Sequence, residues 1–357
     1  MPDKTPSVSG AMEGGGAYNR YAAIPASGGA SALPHWEKAV LSVPLGNANR
    51  PVVIADYGSS QGKNSCAPVQ IAINALRSRL GQTRPIMVHH IDIPANDFNA
   101  LFEVLETDPG RYAADDPQVF SSAIARSFYE TVLPAEQVDL GWSAYSAMWP
   151  SRVPSLIPGH FCVLGSTGSI RVEFERQFAH DWETFLTLRS AELRFGGRLV
   201  VVVPTFDGNG RSGFEDFMDH GNAVLASMVE EHAITADERK NMVLGAGPRS
   251  KNDLIAPFAA NGHFRGLTVE HCETAEIADP AWDDYRRDGD REAVACRQAA
   301  FFRSTFAPTL ALALTTAHDH QRVQGFSGRL EQGLRHRLAR DPAPVHSLAA
   351  TIVLAKR

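Results

Sequence analysis

The chain has 357 residues, a formal net charge of -6, 44% hydrophobic residues and 21% charged ones. That is an ordinary globular composition without the clustered Lys and Arg that a phosphate backbone demands, so nucleic acid is not an expected partner. The length favours one large α/β domain with an added cap over a minimal single domain.

Residues 1–34 are rich in Gly, Ala, Ser and Pro, a composition that buries little apolar surface and predicts a flexible tail or lid. Val52 to Ala55 reads as a buried parallel strand running into Asp56 and a glycine turn. A helix follows over 64–80 and stops at Gly81. A second strand over 86–91 ends in Asp92, and 96–105 reads as its helix, which completes a βαβ unit. Strands are predicted near 119–125 and over 138–145, then a long helix over 173–193 that ends at Gly196-Gly197, then a strand over 198–203. From 213 to 261 the pattern turns helical and irregular, which predicts an inserted cap, leaving 35–212 and 262–357 as the α/β domain. Strand-like residues return at 267–271, helices at 294–306 and 323–338, and a last strand at 347–355. The fold class is therefore a doubly wound, mostly parallel α/β sheet with a helical cap.

Several features are expected to be absent. The four cysteines, Cys66, Cys162, Cys272 and Cys296, have no C-x-x-C spacing and read as buried thiols of a cytoplasmic protein. His89-His90 sits on a strand, where neighbouring rings point to opposite faces. His318-Asp319-His320 lies on a helix or turn where i and i+2 do not face each other. No metal is expected. No run approaches about 18 apolar residues, so no membrane span is expected either.

The chemistry-bearing segment is Asp56-Tyr57-Gly58-Ser59-Ser60-Gln61-Gly62. Its glycines allow close backbone approach, and the helix behind it offers free N–H groups to a polar ligand. It matches neither the G-x-G-x-x-G of dinucleotide enzymes nor a P-loop. Asp92, at the end of the next strand, can accept from both hydroxyls of a ribose. Taken alone, the loop is also compatible with a ligand-free turn, and Asp92 with a cap before Pro94.

Ile54-Ala55-Asp56-Tyr57-Gly58-Ser59-Ser60-Gln61-Gly62-Lys63-Asn64 resembles the I-A-D-L-G-C-S-S-G-P-N segment of the SABATH methyltransferases. Five further segments resemble that family in order. They are Met12 to Gly16 with Tyr21-Ala22, Ile91 to Asn99, Ser127-Phe128-Tyr129, Tyr145 to Trp149 with Val153-Pro154, and Glu192-Leu193 with Gly196-Gly197-Arg198. The resemblance implies a Rossmann-like methyltransferase that binds S-adenosylmethionine, methylates the carboxylate of a small, aromatic acid and forms a homodimer. It implies that Asp56, Gly58 and Asn64 surround the methionine part of the cofactor, with Tyr21 near its carboxylate. Asp92 and Ile93 would meet the ribose, and Ser127 and Phe128 the adenine. The acceptor residues it implies are Trp149, whose indole N–H would donate to the substrate carboxylate, with Met148 and Tyr145 shaping the slot. Taken alone, Trp149 also fits a core or lid aromatic, and Tyr145 a structural tyrosine. The chain departs from the family at Glu13, at Arg20 and in lacking a Gln shortly after Tyr21. Arg20 fits either a substitute carboxylate partner or a solvated charge. An N- or O-methyltransferase of a heterocycle or phenol, and a non-catalytic cofactor-binding protein, remain open alternatives.

Overall fold

The structure is a computed structural model that describes residues 10–46, 49–112, 114 and 116–357. Among these residues eight strands form one sheet: β1 (Val52–Tyr57), β2 (Ile86–Asp92), β3 (Val119–Ala125), β4 (Val138–Ala144), β5 (Leu193–Pro204), β6 (His263–Phe264), β7 (Leu267–Glu276) and β8 (Leu348–Lys356). Their order is β3-β2-β1-β4-β5-β8-β7-β6. The first five are mutually parallel, and β8, β7 and β6 are added antiparallel. The direction of strand addition reverses between β1 and β4, which opens a crevice at the carboxyl ends of those strands, the usual place for a ligand in such a sheet. The doubly wound, mostly parallel sheet is the one that the sequence predicts.

Helices α1 (Ala17–Tyr21), α2 (Ala23–Ser31) and α3 (Leu33–Ser42) precede the sheet. They are followed by α4 (Lys63–Leu80), α5 (Phe98–Thr107), α6 (Gly168–Glu192), α7 (Glu215–Glu230), α8 (Ala236–Asn241), α9 (Lys251–Ile255), α10 (Pro280–Asp288), α11 (Arg291–Ala311) and α12 (His320–Arg340). Every residue of β1 is buried because helices cover both faces of the sheet. Val52 and Ile54 pack with Trp36 of α3 and Leu76 of α4 on one face. Val53, Ala55 and Tyr57 pack with Trp182 and Phe185 of α6 on the other. A third apolar cluster joins Phe174 of α6 with α7, α11 and α12, so the helical layer above the sheet draws on chain well beyond residues 213–261.

The N-terminal segment differs most from expectation, since residues 17–42 are helical. Tertiary contacts supply what composition lacks. Trp36 is fully buried and donates its indole N–H to the Pro68 carbonyl at 2.7 Å. Arg79 donates to the Val40 and Val43 carbonyls, which pins the end of α3. The Gly196-Gly197 pair also behaves differently: α6 ends at Glu192, and β5 begins at Leu193 and runs through the glycines with a register shift against β4. Among the cysteines, Cys66 and Cys162 are buried, but Cys296 is exposed on α11, where a small thiol faces water without cost to the core.

Candidate active site

The loop after β1 and the loop after β4 meet at the reversal point. Gly58 has φ +86°, and a Cβ placed there would fall 2.0 Å from Ser146 Oγ. Ser146 Oγ instead donates to the Gly58 carbonyl at 3.0 Å, which ties the two loops together. Only glycine satisfies both the backbone angle and the approach. Asp92, at the end of β2, accepts from the Ser60 N–H at 2.7 Å and the Ile93 N–H at 2.8 Å. Burial pushes its carboxyl up to about 6 despite those two donors. Asp56 accepts from Ser65 Oγ at 2.5 Å and contacts His90 Nδ1 at 3.0 Å, and His90 Nε2 in turn meets Tyr112 Oη at 2.7 Å. His90 thus belongs to a buried relay under the loop, while His89 pairs with Ser122 on the opposite face.

Two cavities flank this loop and share Tyr18, Pro25, Gly58, Ser60 and Ala144. The larger, about 480 Å³, is lined by Asp92, Ile93, Ser127 and Phe128 at one end and by Tyr145, Met148 and Trp149 further along. Its far wall is apolar and comes from α7 with its N-cap, α11 and the segment between α8 and α9: Phe214, Met218, Leu244, Phe301 and Phe306. The second, about 400 Å³, is lined by Asp56, Ser59, Lys63 and Asn64. Ser59 Oγ and Ser60 Oγ are buried without a hydrogen-bond partner, and Ser60 itself has φ +48°. Unsatisfied hydroxyls in a strained loop are what a polar ligand completes.

The walls are held rigidly. Arg189 and Glu192, both fully buried on α6, pair at 2.8 Å. Arg189 also donates to the Phe128 carbonyl at 2.6 Å and the Glu130 carbonyl at 3.1 Å, while Glu192 accepts from Tyr57 Oη at 2.8 Å and from the Val132 N–H at 2.9 Å. The Ser127-Phe128 loop is therefore anchored to the end of β1 through one buried ion pair. Buried Arg249 donates to the Ala147 carbonyl, with its Nε at 3.0 Å and a terminal nitrogen at 2.9 Å. Tyr129 Oη donates to the Trp149 carbonyl at 2.7 Å, and the Ser151 N–H to Asp181 at 2.8 Å. The Ala147 and Trp149 carbonyls and the Ser151 N–H thus have fixed partners. Among the described residues the Trp149 indole N–H makes no hydrogen bond.

A family model for SAM dependent carboxyl methyltransferases matches residues 8–355. The chain belongs to that family. Its methyltransferase relatives include LUC1 of Fusarium sp, 31% identical over 62% of this chain and 58% of LUC1. The salicylate carboxymethyltransferase of Clarkia breweri is 26% identical over 78% of this chain and 79% of its own. The alignment takes in less than two thirds of LUC1. A solved structure of loganic acid methyltransferase with SAH shares the fold at TM-score 0.75 and 21% identity, covering 97% of this chain and 98% of that one.

Of the residues predicted for this methyltransferase site, Gly58, Asp92, Ile93, Ser127, Phe128, Tyr145, Met148 and Trp149 line the larger cavity, and Asp56, Gly58 and Asn64 the second. Tyr21 lines neither. The Arg20 and Arg303 guanidinium groups each lie 5.9 Å from its ring centroid, and Tyr18 lines both cavities. Burial, with Asp92 nearby, raises the Tyr18 phenol well above its ordinary value. Arg20 borders only the second cavity and donates to the Gly15 carbonyl at 3.0 Å, away from Trp149. The cavity-lining or wall-bracing residues that sequence reasoning did not name are Tyr18, Ser60, Tyr129, Arg189, Arg249 and Thr305. Of these, Ser60 lay inside the Asp56 to Gly62 motif and Tyr129 inside the Ser127-Phe128-Tyr129 segment.

Proposed function

We propose that the chain transfers a methyl group from S-adenosylmethionine to the carboxylate of a small, largely apolar acid, giving a methyl ester. The observation that carries it is the continuity of the two cavities across Gly58, Ser60 and Tyr18. The partnerless hydroxyls of Ser59 and Ser60 and the Gly58 cradle fit a polar cofactor laid over the loop. Asp92 would accept from its ribose hydroxyls, Ser127 and Phe128 would meet the adenine, and Asp56, Asn64 and Ser59 its methionine part.

The cofactor, when bound, supplies an electrophilic methyl on a sulfonium. A carboxylic acid has a pKa near ~4, so the acceptor is already ionised at neutral pH and needs no base. The protein's task is then positioning and exclusion of water. Trp149, a donor without an acceptor, would fix one carboxylate oxygen, and Met148, Tyr145, Phe301 and Phe306 would enclose the remainder. Thr305 lines the same cavity with a buried, partnerless hydroxyl suited to a polar substituent of the acid. A phenol, with a pKa near ~10, would need a base, and among the described residues no His lines this cavity, whose carboxylates are Asp92, taken up by the ribose in this reading, and Glu130.

We further propose that the protein is a cytoplasmic homodimer. Among the described residues no helix is long and apolar enough to cross a membrane. Size-exclusion chromatography with light scattering tests the assembly. Incubation with the cofactor and a panel of aromatic and aliphatic acids, with mass and alkaline-lability analysis of products, tests the reaction. A panel giving cofactor binding but no methylated product would favour the non-catalytic alternative.

A further inference from the structure

Outside the two cavities, where α3 meets β7, three metal-competent side chains converge. His35 comes from α3, and His271 and Glu273 stand two apart on β7, where alternation puts both on one face of the strand. His35 Nε2 is 2.6 Å from Glu273 Oε1, and His271 Nε2 is 3.0 Å from Glu273 Oε2. The imidazoles stack with centroids 4.1 Å apart and planes 21° apart. The three ligating atoms lie within 4.8 Å of one another, and all three residues are half-buried. His35 and Glu273 are 238 positions apart, so the expectation of no metal, which came from local His and Cys spacing, did not reach them.

Each neutral imidazole offers an Nε2 lone pair and the carboxylate supplies negative charge, so the three groups together can hold a divalent cation. Two His nitrogens and one carboxylate oxygen, with a further position open to solvent, are a zinc-type donor set, and imidazole suits zinc, cobalt, nickel and copper more than magnesium or calcium.

We propose that His35, His271 and Glu273 form a divalent transition-metal site of zinc type that fastens α3 to β7. The consequence reaches the cofactor side through the chain. Leu33, two residues before His35, lines the second cavity together with Ala23, Ala26 and Gly29 of α2. Metal binding would therefore stiffen the N-terminal helices without touching the reacting atoms. The site stands on its own geometry and does not depend on which acceptor is methylated.

The test uses the full-length protein freed of metal by chelator and titrated with Zn²⁺ in a calorimeter, beside His35→Gln, His271→Gln and the double variant. The expected result is one tight equivalent per chain, weakened at least about tenfold in each single variant, since even outer partners of metal ligands are worth that much. Wild-type protein should also show a Zn²⁺-dependent rise in melting temperature that the double variant lacks. Should the variants fold poorly, anomalous scattering from zinc-soaked wild-type crystals locates the ion directly, with a peak expected between the three side chains. Equal stoichiometry and affinity in wild type and double variant, no binding by the wild type, or an anomalous peak elsewhere only, would each overturn the proposal.

Discussion

Replacing Trp149 with Phe isolates the donor at the acceptor site. The Trp149 carbonyl is held by Tyr129, the Met148 carbonyl by the Gly247 N–H at 3.1 Å, and the Ala147 carbonyl by Arg249. None of these contacts uses the indole, so the backbone should stay in place. Phe keeps most of the aromatic surface against Gly10, where a Cβ would come within 3.3 Å of the indole. What is lost is one N–H that has no acceptor among the described residues and that a bound carboxylate would use. A charge-assisted hydrogen bond in a water-poor cavity contributes about 1.5–3 kcal/mol, so kcat/KM for a carboxylate acceptor should fall roughly 10- to 150-fold. The cofactor Kd and the melting temperature should change little. Initial rates of methyl-ester formation with labelled cofactor, alongside calorimetric cofactor binding, measure both sides. Undiminished ester formation, or an equal loss in cofactor affinity, would refute the donor role.

Asp92→Ala should weaken cofactor binding by roughly 2–4 kcal/mol, at about 1–2 per ribose hydrogen bond, read by calorimetry. Because the Asp92 carboxyl is raised to about 6 in the folded protein, its protonated form favours folding. Its contribution to native stability therefore falls as pH rises from about 4 to 6 and is constant above. Cofactor affinity should run the other way, dropping as pH falls through about 6, and a titration of Kd against pH in which Asp92→Asn kept that step would contradict the assignment. Gly28→Ala places a Cβ 2.2 Å from the Tyr145 ring, an overpacking of about 1–3 kcal/mol that should raise the acceptor KM more than the cofactor Kd. Glu192→Gln strips the counter-charge from Arg189, whose side chain is 0% exposed, and should cost about 3–5 kcal/mol in urea unfolding, with an unchanged midpoint as the contrary result.

The sheet was legible because β1 is a short, two-sided apolar run closed by a turn residue, and the alternation of strands with helices leaves few topologies. Asp56, Gly58 and Asp92 were legible for a related reason: they stand at strand ends where the crevice must open. The N-terminal helices were not. Ala, Gly and Ser give α2 almost no amphipathic signal, and the order of these helices comes from distant partners such as Pro68 and from Gln61, whose carbonyl accepts from Asn19 at 2.8 Å. The resemblance named Tyr21, and it is Tyr18, one helical turn earlier, that lines the cavities. Arg189 and Arg249 were hidden differently. A charged side chain within a helical or irregular segment reads as solvated, and only the tertiary structure shows which carbonyls it satisfies. His35, His271 and Glu273 belong to the same class of long-range meetings.

The atom that receives the methyl group decides the account. Purified protein incubated with labelled S-adenosylmethionine and a panel of small aromatic and aliphatic acids, heterocycles and phenols should give a product from an acid whose label is released as methanol by mild alkali, the mark of a methyl ester. A product that keeps its label under alkali, methylated on nitrogen or phenolic oxygen, would contradict carboxylate methylation.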